Sequence, residues 1–146
     1  LDHADSLDLV AESIAAGFTS VMYDGSHLPL AQNIEETREV VRYAHARGVS
    51  VEGELGFVAG TNLEGEDAGE GRLTEPAEVE EFVRETGVDA LAISIGTAHG
   101  VYKAKPKLDL QRLGEIVAVT DVPLVLHGGS GTPEDQLVPA IRGAIA

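Results

Sequence analysis

The chain has 146 residues, 43% of them hydrophobic, the usual size of one domain and enough to bury a core. Its formal charge of −15 argues against general nucleic-acid binding, because polyphosphate is repelled and no basic stripe exists. With no cysteine, a transition-metal site has to use His, Asp and Glu, and with no apolar run long enough to span a bilayer a cytoplasmic location is expected.

Strand and helix alternate along the chain. Asp5 to Ala16 reads as a helix, with Leu7, Val10, Ala11 and Ile14 at helical spacing, Asp5 or Ser6 as its cap and Gly17 ending it. Phe18 to Tyr23 is a short β-rich run stopped by Asp24-Gly25-Ser26. Pro29 or Asn33 opens a second helix that runs to Gly48, and Val49 to Leu55 is the next strand. Residues 56–73 lose periodicity and read as a mobile loop, either a solvated connection or a functional lid. Glu75-Pro76 starts a helix ending at Gly87, and Asp89 to Ile95 is a strand. A lysine-bearing loop follows, then a helix from Leu108 to Val119, a strand from Val122 to Leu126 and a last helix from Pro133 to Ala144.

Apolar strands alternating with helices predict an α/β fold with a parallel sheet covered on its faces. Asp2, His3, Asp24, Ser26, Glu54, His99 and His127 all fall at or just beyond strand C-termini, the edge that carries the active site in α/β folds. Four strands, with the tail of another at Leu1, make about half of a (β/α)8 barrel, which needs roughly 250 residues. Both ends read as cut, so residues 1–146 are expected to be one domain, the central part of a TIM barrel.

His3, His99 and His127 are the candidate metal ligands. Neutral imidazoles are the commonest zinc ligands, and three of them leave a position open for water or substrate. Asp2, beside His3, suits metal-assisted acid–base chemistry. Glu52 and Glu54 lie two apart on a strand and face the same side; Glu54, at the strand's end, is the better candidate for metal contact, with Asp24 as an alternative ligand. His45, inside a helix, and His27 read as structural. Gly128, Ser130 and Gly131 before Pro133 match a strand–turn–helix that grips phosphate. All three lysines, Lys103, Lys105 and Lys107, lie in one segment; Lys103 is the nearest fixed cation to a bound phosphate, and the other two face solvent.

Together, Leu1-Asp-His3, Gly17 to His27, Tyr43 to Gly56, Thr86 to Ala92, Gly96 to Lys103, Pro106 to Asp109 and Val125 to Gly131 resemble the class II, metal-dependent fructose-bisphosphate aldolases, which include the tagatose-bisphosphate enzymes. The resemblance implies a (β/α)8 barrel with zinc on His3, His99 and His127, Asp2 as the proton-transferring carboxylate, and Glu54 and Asp24 at alternative or supporting metal positions. It implies phosphate binding at Gly100, Lys103, Gly128 and Ser130, where backbone carbonyls can also hold Na+ or K+. The acidic loop would supply a second proton-transferring carboxylate from among Glu64, Glu66 and Asp67, with Glu66 favoured because Glu66-Asp67 keeps an acidic pair.

The implied reaction is reversible aldol cleavage of a ketose 1,6-bisphosphate to dihydroxyacetone phosphate and glyceraldehyde 3-phosphate, as a step of glycolysis or related carbohydrate metabolism. The implied assembly is a dimer or tetramer, and the partners exclude nucleic acid and membrane. A Schiff-base aldolase would need a lysine at a strand end, and a barrel metallohydrolase typically opens with a His-x-His pair that is absent here. The competing non-enzymatic reading is a truncated, inert metal-binding or interaction module of the same family, since the family's first and last barrel strands are missing.

Overall fold

A computed structural model of the chain describes residues 1–58, 71–100 and 106–146. Helix α1 spans Leu7–Ala15, strand β1 Ser20–Tyr23, α2 Leu30–His45, β2 Ser50–Leu55, α3 Pro76–Thr86, β3 Ala90–Ile93, α4 Leu110–Val117, β4 Leu124–Val125 and α5 Glu134–Gly143. The strands form one parallel sheet in the order β1-β2-β3-β4, each joined to the next through a helix. Ala4 bridges in parallel to Tyr23 at one edge, and Leu124 bridges in parallel to Ile145 at the other. Six successive strand positions of a barrel-like sheet are therefore marked.

The helices start and stop where side-chain chemistry tells them to. Ser6, rather than Asp5, caps α1, its Oγ accepting from the Leu9 amide. Pro29 is the N-cap of α2, which places Asn33 inside the helix instead of at its start. Proline at the first position of α3 and left-handed Gly87 after its end match the usual asymmetry of helix termini. The strands are shorter than expected, because their ends are taken up by other partners. After Ile93, the Ser94 amide donates to Thr74 Oγ1 (2.8 Å) and the sheet ladder stops.

The sheet's two faces differ, which corrects the expectation of strands that are apolar throughout. Val21, Tyr23, Val51, Leu55, Leu91, Ile93 and Leu124 pack with Val10, Val40, Val41, Val79, Phe82, Leu113 and Ile116 of the helices in one buried core. The opposite face carries Ser20, Met22, Glu52, Glu54, Ala90, Ala92 and Val125, which lie side by side in register. Alternation along each strand sends one set outward to the helices and the other into the barrel interior. Helices cover one face, and the other carries two glutamates among serine, alanine, Met22 and Val125.

Phe82 is fully buried, and it packs on bare backbone: a Cβ on Gly53 would lie 3.1 Å from the Phe82 ring and 3.0 Å from Val88. This close approach seats α3 on the centre of the sheet. Phe82→Ala should lower unfolding stability by about 3–5 kcal/mol, read as a fall in the urea midpoint with little change in slope.

Candidate metal centre

His3 belongs to the segment that pairs with β1, where the Ala4 amide donates to Met22 O (3.1 Å) and the Met22 amide to Leu1 O (3.1 Å). Its backbone has a positive φ of 49°, a left-handed conformation uncommon in residues other than glycine. A regular strand would point Asp2 and His3 to opposite faces. The left-handed turn instead leaves both on the C-terminal rim.

His99 follows β3 and His127 follows β4. The turns that carry them lie against each other at Gly128, which has a φ of 69° and no room for a side chain, since a Cβ there would meet the Ala98 carbonyl oxygen at 2.4 Å. The rings of His3 and His127 are 4.6 Å apart, those of His3 and His99 4.9 Å, and those of His99 and His127 5.8 Å. One nitrogen from each ring can be chosen so that all lie within 4.8 Å of one another. The structure brings together imidazoles separated by most of the chain.

Carboxylates orient two of the rings. His3 Nδ1 bonds Asp24 Oδ2 at 3.0 Å, while Asp24 Oδ1 accepts from the Ser26 amide (3.0 Å) and hydroxyl (2.6 Å). Burial alone would raise the Asp24 pKa, but the bonds from His3 and Ser26 outweigh it and hold the carboxyl at about 2. His127 Nε2 bonds Glu52 Oε1 at 2.7 Å. The bond to Asp24 raises the His3 pKa against the effect of burial, and the bond to Glu52 does the same for His127. His99 moves the other way, lowered by burial and by the positive charge of its two neighbours. Asp2 is exposed at the rim, with Oδ1 3.8 Å from His3 Nε2 and 3.9 Å from His127 Nδ1.

Glu54 lies at the end of β2, 1% exposed, with Oε2 3.8 Å from His3 Nδ1 and Oε1 accepting from the Val58 amide (3.3 Å). Burial, with the nearby Asp24 charge, pushes its pKa up to about 7. His3, Asp24 and Glu54 form a second set of close ligand atoms on the other side of the His3 ring. Asn33 holds this region from behind: its Nδ2 donates to Glu54 O (2.9 Å) and its Oδ1 accepts from Thr37 (3.0 Å).

The donor set fits a divalent metal. Imidazole nitrogens and carboxylates without sulfur suit zinc, and an ion would satisfy the buried His3 Nε2, which has no hydrogen-bond partner. Hydrogen bonding of each ring's other nitrogen to a carboxylate is the usual support for a metal-binding histidine.

Of the other expected residues, Gly100 has a φ of 87° and is exposed, and exposed Ser130 lies in the single 3-10 turn Gly129–Gly131 that follows His127 and Gly128. That turn, rather than a helix N-terminus, is the candidate phosphate cradle: α5 begins beyond it and carries Glu134 and Asp135 in its first turn, which would repel an anion. Lys103, Lys105, Glu64, Glu66 and Asp67 lie outside the described residues. His27 is exposed in a shallow groove with Phe57 and Arg72, and His45 bonds Asp89 on the surface at 2.8 Å. Neither joins the cluster. Sequence reasoning missed the partnership of Glu52 with His127; facing the same side as Glu54 was the available signal.

A parallel α/β sheet that gathers histidines and carboxylates on its C-terminal rim is an arrangement whose side chains could hold a divalent ion. The fructose-bisphosphate aldolase class-II family pattern matches residues 1–146, and the chain belongs to that family. It is 50% identical over 142 residues to the 6-phospho-5-dehydro-2-deoxy-D-gluconate aldolase of Shouchella clausii (strain KSM-K16), covering 97% of this chain and 48% of that protein. It is also 50% identical over 142 residues to the fructose-bisphosphate aldolase of Geobacillus stearothermophilus, covering 97% of this chain and 49% of that protein. The crystal structure of the YdjI aldolase from Escherichia coli K12 matches with a TM-score of 0.84 and 35% identity, over 99% of this chain and 49% of that one. The chain thus spans about half the length of these relatives. Among the described residues, no helix is long and apolar enough to cross a membrane.

The raised Glu54 pKa gives a pH signature. Its folded value, about 7, lies above its ordinary 4.5, so folding is favoured below about pH 4.5 and loses that contribution as pH rises through 7. In metal-free protein, Glu54→Gln should flatten the fall in stability between pH 4.5 and 7, measured as urea midpoints across that range.

Proposed function

We propose that this chain carries the metal centre of a zinc-dependent aldolase that reversibly cleaves a ketose 1,6-bisphosphate, of the fructose or tagatose configuration, to dihydroxyacetone phosphate and glyceraldehyde 3-phosphate. The observation that carries the reading is the meeting of His3, His99 and His127 with their ligand atoms within 4.8 Å. The chemistry supplied by zinc on these residues is Lewis-acid stabilisation of negative charge developing at the substrate's ketone oxygen.

Each residue has a part in this reading. Asp24 and Glu52 hold the His3 and His127 rings by hydrogen bonds. Asp2, exposed beside both rings, takes the hydroxyl proton in cleavage and returns it to the aldehyde oxygen in condensation. Glu66 handles the second proton, at the carbon that carries negative charge after cleavage. Gly100, Lys103, Gly128 and Ser130 receive the phosphate, and carbonyls of the same turns offer a place to Na+ or K+. Glu54 and Asp24 support the centre or offer an alternative metal position. A cytoplasmic setting and a dimer or tetramer belong to the same reading.

A second substrate has equal sequence support. The relative named for 6-phospho-5-dehydro-2-deoxy-D-gluconate is as similar as the one named for fructose bisphosphate. The two substrates share a phosphorylated ketone end and differ at the end that leaves as an aldehyde.

Chelator-sensitive cleavage of fructose 1,6-bisphosphate, tagatose 1,6-bisphosphate and 6-phospho-5-dehydro-2-deoxy-D-gluconate decides among them. Cleavage unaffected by chelator would overturn the metal-dependent reading, and zinc uptake without any cleavage would favour the inert module. His127→Ala should abolish zinc retention, measured by metal analysis after dialysis. Asp2→Ala should keep zinc and lower kcat by about 10²–10⁴-fold, the usual worth of a general acid–base group. Equal metal loss in both variants would undo that division of roles.

A further inference from the structure

We propose that Glu52 is a positioning residue that decides which nitrogen His127 presents to the metal. The inference rests on the reading of the three-histidine centre and gives the Glu52–His127 bond a consequence that reading leaves open, the choice of tautomer. Glu52 and His127 are 75 positions apart, and their side chains meet at 2.7 Å. The meeting is not a neighbour contact: Glu52 is on β2, His127 follows β4, and β3 runs between them. The register explains how the gap is crossed. Ala90 lies opposite Glu52, Ala92 lies opposite Glu54 and Val125 lies opposite Ala92, so β3 offers only methyl groups to the interior at these levels. The short alanines put no large side chain on β3 at the positions paired with Glu52 and Glu54.

The bond has a direction. An ionised carboxylate accepts and cannot donate, so His127 carries its hydrogen on Nε2 and its lone pair on Nδ1. His3 is set the opposite way, with Nδ1 bonded to Asp24 and Nε2 left without a partner. The two presented atoms, His3 Nε2 and His127 Nδ1, lie 3.8 Å and 3.9 Å from the same oxygen of Asp2. Opposite tautomers, each selected by its own carboxylate, therefore aim at one point. Without Glu52, a neutral His127 is free to exchange tautomers and turn its ring, and only part of that population offers Nδ1 to the ion.

The test compares the intact wild-type protein with Glu52→Ala and Glu52→Gln, using zinc itself as the probe. Zinc affinity is read by chelator competition, and the His127 tautomer by nitrogen-15 NMR of the metal-free protein at a pH that keeps the ring neutral. Expected results are a 10- to 100-fold loss of affinity in Glu52→Ala with a mixed tautomer. In Glu52→Gln, whose amide can accept from Nε2–H or donate to a bare Nε2, the ring stays held but the choice of tautomer weakens, so affinity and tautomer ratio should fall between wild type and Glu52→Ala. Unchanged affinity or an unchanged tautomer in Glu52→Ala would overturn the proposal. Wild-type protein that takes up no zinc would overturn the reading of the centre instead, and the tautomer measurement would still decide whether Glu52 sets the ring.

Discussion

The hydrogen bond from an imidazole to a buried or half-buried carboxylate is the interaction on which this centre depends. A histidine has two nearly equivalent nitrogens, and nothing in the residue itself says which will hold the proton. Asp24 settles the matter for His3, and it does so as an anion, because its own bonds to Ser26 and the ring outweigh the effect of burial. Glu52 occupies the corresponding place beside His127. The cost of taking these charges partly out of water is offset by giving each a partner, and that partner is the group whose orientation matters.

Such an arrangement needs a sheet whose two faces are made for different purposes. On the helix side, Phe82, Ile116 and the strand valines and leucines form an ordinary apolar core. On the inner side, β2 carries Glu52 and Glu54 while β3 carries alanines in register with them. Exchanging the two sets by a one-residue slip would bury both glutamates against the helices and open the core to the interior. Register is therefore fixed by chemistry as well as by packing. The same asymmetry accounts for Gly53, whose missing side chain lets α3 sit close while its neighbours point inward to the histidines.

Much of this was legible in the sequence, and what escaped notice did so for identifiable reasons. Helix and strand alternation appears in the periodicity of Val10 and Ile14, Val40 and Val41, and Val79 and Phe82, and all these elements are present. His3, His99 and His127 could be singled out because each closes a strand before a turn. Strand ends were harder, because pairing stops where a side chain such as Thr74 substitutes for the next strand residue. Glu52 could be assigned a face from its spacing but not a partner two strands away. Of the two starts the sequence offers for α2, Pro29 is the N-cap, while Asn33 lies inside the helix and its amide serves as a strut from helix interior to strand carbonyl.

Thr74 joins more of the structure than its size suggests. Its hydroxyl donates to Leu55 O and accepts from the Ser94 amide, its own amide donates to Ser94 O, and Arg112 donates to its carbonyl. Two residues earlier, Arg72 exchanges a pair of backbone bonds with Phe57. The chain therefore leaves β2 and returns to α3 through a clamp that closes on itself. By tying Phe57 to Arg72 and joining Leu55 to Ser94 through Thr74, the clamp fixes the ends of β2 and β3 to each other, so Glu54 is held in place by bonds that do not involve residues 59–70.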